Sequence, residues 1–232
     1  MMISEIKAEL RSFSSTEKAT QLQRFFKTGP GEYGESDIFI GVSNPNVQKV
    51  AKRYYKIIKL SDCQKLLESK VHEDRMLCLQ ILVNKYPKAS TNDQTAIYEF
   101  YLKNTKYINN WDLVDVSVVK TFGRYLFDKD RSILYKLAVS KNLWEKRISI
   151  MATFYFIRQL DFADTLKISE ILLNDTHDLI HKAVGWMLRE IGNRHRPTEE
   201  IFLKQHYKTM PRTMLRYAIE KFPYIYLLIV LQ

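Results

Sequence analysis

Asn109-Asn-Trp-Asp-Leu-Val-Asp115 is the stretch whose residue types and spacing are best suited to chemistry. Asn109 or Asn110 suits a helix N-cap, and an acid in the turn that follows favours the positive end of the helix dipole. Trp111 and Asp115 then stand at i and i+4, on one helix face. Asp115, sharing its face with a tryptophan, is the better candidate for chemistry. Asp112 is accounted for by the helix dipole. The same pattern also fits a core tryptophan and an aspartate in a structural ion pair, and the stretch by itself leaves both open.

Two further stretches carry candidate binding groups. In Leu143-Trp-Glu-Lys-Arg-Ile148, Trp144 reads as core, and Arg147 is a fixed, bidentate charge suited to phosphate or to an ion pair. In His181-Lys-Ala-Val-Gly-Trp-Met-Leu-Arg-Glu-Ile-Gly192, Gly185 beside Trp186 permits close approach of a backbone or a ligand. Lys182, Arg189, Arg194 and Arg196, with Arg212 and Arg216 further on, make this end of the chain basic. Together they would form an electrostatic footprint for a duplex; each alone also suits a solvated face. His177 and His181 have the i,i+4 spacing of metal ligands, but no third ligand accompanies them, and no metal or cofactor is expected. The glycines of Thr28–Gly34 are not followed by Gly-Lys-Ser/Thr, so this is not a phosphate loop.

The elements that must position these residues are helices. Apolar residues recur at helical spacing along almost the whole chain, as in Met76, Leu79, Leu82 and Val83, or Ile148, Met151, Ala152 and Tyr155. Only 7 Gly and 6 Pro occur in 232 residues. Breaks at Thr28–Gly34, Ser43–Pro45, Tyr86–Thr91, Lys103–Asn110, Asp128–Asp130, Lys141–Leu143, Asn174–His177, Gly192–Pro197 and Met210–Pro211 leave about a dozen short helices, the rhythm of stacked hairpins. Offsetting the sequence by 36 residues aligns Val71-His-Glu-Asp-Arg75, Tyr107-Ile-Asn-Asn-Trp111, Leu143-Trp-Glu-Lys-Arg147 and Leu179-Ile-His-Lys-Ala183. Residues of equal phase in a repeat share a face, which predicts Trp111, Arg147 and, one turn past Ala183, Trp186 along one concave surface.

The charge balance is +10, from 36 Lys+Arg against 26 Asp+Glu. Such an excess draws polyanions, nucleic acid before an anionic membrane. Cys63 and Cys78 have no zinc spacing, and the start, Met1 to Leu10, lacks a signal peptide's apolar stretch. The apolar run Tyr224–Leu231 is too short to span a bilayer and reads as a terminal element docking on the body. The expectation is a monomeric cytoplasmic protein with reduced thiols and no membrane partner.

These stretches, in this order, resemble the AlkD-type DNA alkylation repair glycosylases. Phe26-Lys-Thr-Gly-Pro-Gly-Glu-Tyr-Gly-Glu-Ser-Asp-Ile-Phe-Ile-Gly-Val-Ser43 and Met210-Pro-Arg-Thr-Met-Leu-Arg-Tyr-Ala-Ile-Glu-Lys-Phe-Pro223 are also similar to that family, so the likeness runs from about Phe25 to Pro223. It implies an all-α fold, a right-handed solenoid of HEAT-like helical hairpins forming one domain over residues 1–232 with a concave DNA-binding face. It implies excision of positively charged alkylpurines such as 7-methylguanine and 3-methyladenine from double-stranded DNA, without base flipping. By the same resemblance Asp115 is the catalytic aspartate, Trp111 and Trp186 hold the lesion's sugar and backbone, and Arg147 engages phosphate. Asn110 departs from members that carry a second aromatic there, which bears on lesion preference. The alternative on the same scaffold is a catalytically inactive binder of damaged or branched DNA.

Overall fold

The computed structural model describes residues 2–222, and the apolar run Tyr224–Leu231 lies outside them. The described residues are helical, with no strand; one isolated parallel bridge joins Ile38 to Val71. They pack as two compact units, one up to Thr121 and one from Phe122.

The first unit contains α1 (Met2–Arg11), α2 (Thr16–Phe25), α3 (Asn44–Tyr54), α4 (Leu60–Leu67), α5 (His72–Lys85), α6 (Thr91–Lys103) and α7 (Trp111–Ser117). Local sequence sets several of the starts. Ser15 and Ser90 accept from the backbone N–H groups of Lys18 and Asp93, and Pro45 sits in the first turn of α3, where it forfeits no helical bond. At the centre is α5, packed by α3, α4 and α7 and buried without interruption from His72 to Leu82. A helix enclosed on all sides needs no polar face. Its first turn, His72-Glu-Asp-Arg75, is nevertheless fully polar, and each of these side chains has a partner, as burial demands.

Glu73 takes the backbone N–H groups of Ile40, Gly41 and Val42 at 2.8–3.2 Å. Gly41 is the residue that allows this: its φ is +79°, and a Cβ would collide with the Ser15 carbonyl. Asp74 meets Lys7, Arg11 and Ser69 at 3.0, 3.2 and 2.7 Å. His72 and Arg75 both reach Asp37 in the loop between α2 and α3. The loop 26–43 is thus tied to the start of α5 by buried charge as well as by apolar contact.

The second unit contains α8 (Arg124–Leu126), α9 (Ser132–Ala138), α10 (Leu143–Ala152), α11 (Phe154–Arg158), α12 (Ala163–Leu172), α13 (Asp178–His206) and α14 (Arg212–Ala218). A π-helix, Val119–Gly123, precedes α8. Here α13 is central, packed by α10, α11, α12 and α14 through Ile180, Val184, Met187, Leu188 and Ile191. The break expected at Gly192–Pro197 is present: His195 leaves helical geometry (φ −149°, ψ 83°) two residues before Pro197, so that α13 consists of two helices meeting at a kink. The approach that Gly185 allows is that of α14, since a Cβ there would meet the Met214 carbonyl and Tyr217. The 36-residue register falls at the starts of α5, α7, α10 and α13, with one or two further helices between each and the next. None of the helices is long and apolar enough to cross a membrane, among the described residues.

Candidate active site

The first turn of α7 begins at Trp111, and Asn110 is its N-cap, extended in backbone and accepting the Trp111 N–H at 2.8 Å. Trp111 and Asp115 lie one turn apart on α7, both half-buried. Leu113, Val114 and Ser117 form the inner face of the helix. The charge of Asp115 also reaches Tyr101, a fully buried phenol bonded to Ser117 at 3.0 Å. Burial pushes the Tyr101 hydroxyl upward, and Asp115 acts in the same direction against the Ser117 bond.

Beside Trp111 the rings form a stack. Trp111 lies on Phe26 (centroids 5.2 Å), Phe26 on Phe39 (5.0 Å), and Phe39 on the His72 imidazole (4.4 Å). Phe25, itself exposed, meets the Trp111 ring edge-on at 5.9 Å. A cavity of about 230 Å3 borders the stack, lined by Phe26, Phe39, His72, Met76, Trp111 and Asp112 among others.

Under the stack is a buried ionic chain. His72, 2% exposed, has Nδ1 3.1 Å from Asp37 Oδ2 and Nε2 2.9 Å from Asp112 Oδ2. Arg75 donates to Asp37 Oδ1 at 2.6 Å and to the Ser69 carbonyl at 2.9 Å. Asn109 and Asn110 donate to the two Asp37 oxygens at 3.4 and 3.3 Å. Burial opposes the charge on Asp37, but its bond to His72 and the charges of Arg75 and His72 outweigh that and hold it below the usual carboxylate range. Burial likewise opposes the charge on His72, and the Asp112 and Asp37 carboxylates outweigh it and raise the imidazole. Asp112 therefore does more than complement the dipole: one oxygen accepts the Leu113 N–H at 2.8 Å and the other meets His72.

Sequence reasoning missed His72, Asp37 and the larger part of Asp112. Two signals were present. Arg75 shares the repeat phase of Trp111, and Asp37 lies inside the 26–43 signature. Neither could reveal that the two segments meet.

The other expected residues lie in the second unit. Trp186 on α13 is half-buried; it donates to Glu190 Oε1 at 3.2 Å and lies 5.9 Å from Phe154. Arg147 on α10 is only 4% exposed and donates to the Leu179 carbonyl at 2.7 Å. Trp144 is in the core, as expected. Lys182 pairs with Asp178 at 2.7 Å, Arg194 with Glu190 at 2.6 Å and Arg189 with Glu220. Arg212 is exposed. His177 caps α13, accepting the Leu179 N–H, and His181 meets the Asp175 carbonyl. No cluster of His, Cys, Asp and Glu suited to a metal occurs among the described residues.

Solved structures with the same fold include a predicted DNA alkylation repair enzyme from Enterococcus faecalis, at TM-score 0.71 and 15% identity, covering 91% of this chain and 97% of that one. AlkD2 from Streptococcus mutans matches at TM-score 0.56 and 16% identity, over 89% and 97%. The smu.31 protein from Streptococcus mutans UA159 matches at 0.54 and 17%, over 96% and 99%. The fold is thus the AlkD-like helical repeat. No curated protein matches the chain. The family model described as DNA alkylation repair enzyme matches residues 6–222, nearly the whole chain, and the protein belongs to that family.

Proposed function

We propose that the protein is a DNA glycosylase that excises positively charged N-alkylated purines, 7-methylguanine and 3-methyladenine among them, from duplex DNA. The observation that supports this reading is the pairing of Trp111 and Asp115, half-buried one turn apart on α7, in a member of a DNA alkylation repair family.

Alkylation places a full positive charge on the base. When the N-glycosidic bond breaks, its electron pair goes to the base, which leaves neutral and needs no acid to protonate it. Positive charge develops on the deoxyribose instead, as in other glycosyl cleavages. Asp115 stabilises that charge and orients the water that attacks C1′. The water's proton passes to the carboxylate or to solvent, and an abasic site remains. The Trp111 indole presents a negative face to the same cationic sugar. Neutral lesions react poorly, because their leaving group lacks a proton.

Trp186 and Arg147 are assigned through the resemblance, to the lesion's backbone and to phosphate. Arg147 is already held by the Leu179 carbonyl, so little of its freedom remains to be lost on contact. Lys182, Arg189, Arg194 and Arg212 supply the remaining electrostatic attraction. In this reading the base is not flipped into an enclosing pocket, and bulkier cationic adducts are accepted.

The test is release of free base from duplex DNA containing 7-methylguanine, by the parent and by Asp115→Asn. The parent is expected to release it, and the variant to be slower by at least roughly a hundredfold while still binding DNA. Salt-dependent DNA binding without release would make the protein a catalytically inactive binder of damaged or branched DNA.

A further inference from the structure

The chain Asp37–His72–Asp112 is a buried device that nothing in the proposed chemistry uses, and it ends on the residue next to Trp111. Its hydrogen bonding is informative. Both carboxylates are acceptors only, and both ring nitrogens of His72 face one of them, at 3.1 and 2.9 Å. A neutral imidazole has one N–H, so one nitrogen lone pair would then oppose a carboxylate oxygen at hydrogen-bond distance. An imidazolium donates to both.

The charge count agrees. Asp37 and Asp112 are balanced by Arg75 and His72⁺, and Arg75 is committed to Asp37 Oδ1 and the Ser69 carbonyl. With His72 neutral, the four groups would keep one uncompensated negative charge at a partly buried site, the His72 and Asp37 side chains being 3% exposed and that of Asp112 17%. The charged and titratable groups around the ring are all accounted for. Asp37 comes from the loop 26–43, Asp112 from α7, and Arg75 and Glu73 from α5 itself; Glu73 is engaged by the amides of residues 40–42. The ring faces meet Phe39 and Phe26, which carry no charge.

We infer that His72 is a positioning residue, held as an imidazolium, that locks the first turn of α7 to the loop 26–43 and thereby sets Trp111 and Asp115. The inference rests on the assignment of those two residues to the reacting sugar. Asp112 is the one α7 side chain bonded to the ring, and it also holds the Leu113 N–H. Loss of the His72 proton removes one donor and releases one carboxylate. If Asp112 is released, the first turn of α7 loses its ionic tie. If Asp37 is released, the loop carrying Phe26, on which Trp111 stacks, is loosened. Base release is thus predicted to fail on the alkaline side, through a residue that touches neither DNA nor water in the reaction. Asp112 and Asp37 place this loss above the ordinary imidazole range, against the opposing effect of burial.

The experiment is nitrogen NMR of the histidine rings in the wild-type protein, with His72 assigned by its ring-proton contacts to Phe39 and Phe26 and checked by its absence in His72→Gln. Single-turnover release of 7-methylguanine is measured on both proteins across the same pH range. His72 is expected to keep both ring protons above about pH 6.5, the ordinary imidazole midpoint. The wild-type rate should fall with the midpoint seen by NMR. His72→Gln should lack that alkaline fall and be slower by roughly tenfold, with DNA affinity changed by less than about twofold. A neutral ring at neutral pH, or a rate that stays level through the His72 midpoint, overturns the inference. If no base is released at all, the glycosylase reading fails and the lock is judged separately, by the Trp111 indole N–H resonance. A shift that follows the His72 titration supports the lock, and one that ignores it overturns the lock. These wild-type measurements stand even if His72→Gln does not fold.

Discussion

The Trp111 indole lies stacked on the Phe26 ring, with centroids 5.2 Å apart and planes 25° from parallel. The loop after α2 therefore helps decide how the first turn of α7 meets its surroundings. Phe26 is itself buried between Phe39 and Trp111. Phe26→Ala should cost about 3 kcal/mol of stability, the loss typical of emptying a buried aromatic site. Phe26→Leu should cost clearly less. Urea unfolding checks both, with the midpoint moving and the slope unchanged.

Glu73 is the anchor of the loop on α5. Its carboxylate takes three consecutive amides, of Ile40, Gly41 and Val42. Glu73→Gln keeps one acceptor oxygen, loses the charge and aims an amide at N–H groups. The expected loss is on the order of 2 kcal/mol, since hydrogen bonds to charged groups are the stronger ones. Denaturant unfolding measures it, and amide exchange at residues 40–42 should accelerate in the same variant.

Glu199 gives the second unit a pH dependence of its own. It is 1% exposed, its Oε1 has no hydrogen-bond partner, and burial pushes its carboxyl up to about 8. Between its unfolded value, about 4.3, and its folded value, the native state holds a proton that the unfolded chain has lost. Stability therefore falls as pH rises through this window and levels off above it. The full extent is on the order of 5 kcal/mol. Glu199→Gln should remove the slope, so that variant and parent differ least near the acid end of the window. Thermal melts across pH test this, and parallel curves would sink the assignment.

Arg212 is exposed, and Lys182 and Arg194 are held by Asp178 and Glu190. If Arg212 meets a phosphate, Arg212→Ala should lower the slope of log affinity against log salt by about 0.9 for duplex DNA. Lys182→Ala should do less, because its charge is partly offset in the free protein. Fluorescence titrations over a range of salt concentrations distinguish these outcomes.

Much of the architecture was legible as pattern. Helical periodicity, few glycines and prolines and a 36-residue register predicted short helices in repeats, and the register falls on α5, α7, α10 and α13. The Asn110 cap and the Trp111–Asp115 spacing were equally local, and local signals survive folding because a cap or an i,i+4 pair involves one helix. The Gly192–Pro197 break was legible for the same reason: proline disfavours helix in the residues before it, and His195 leaves helical geometry within that stretch.

The sequence by itself determined where several of the helices begin, which faces are apolar, and that a carboxylate and an indole share a turn. Only the tertiary structure decided what encloses α5. Because α5 is buried on every side, the polar turn His72-Glu-Asp-Arg75 had to find partners, and those came from α1, α7 and the loop 26–43. No periodicity encodes that meeting. It follows from the cost of leaving charge unpaired out of water, a cost that arises only once the chain has closed around it.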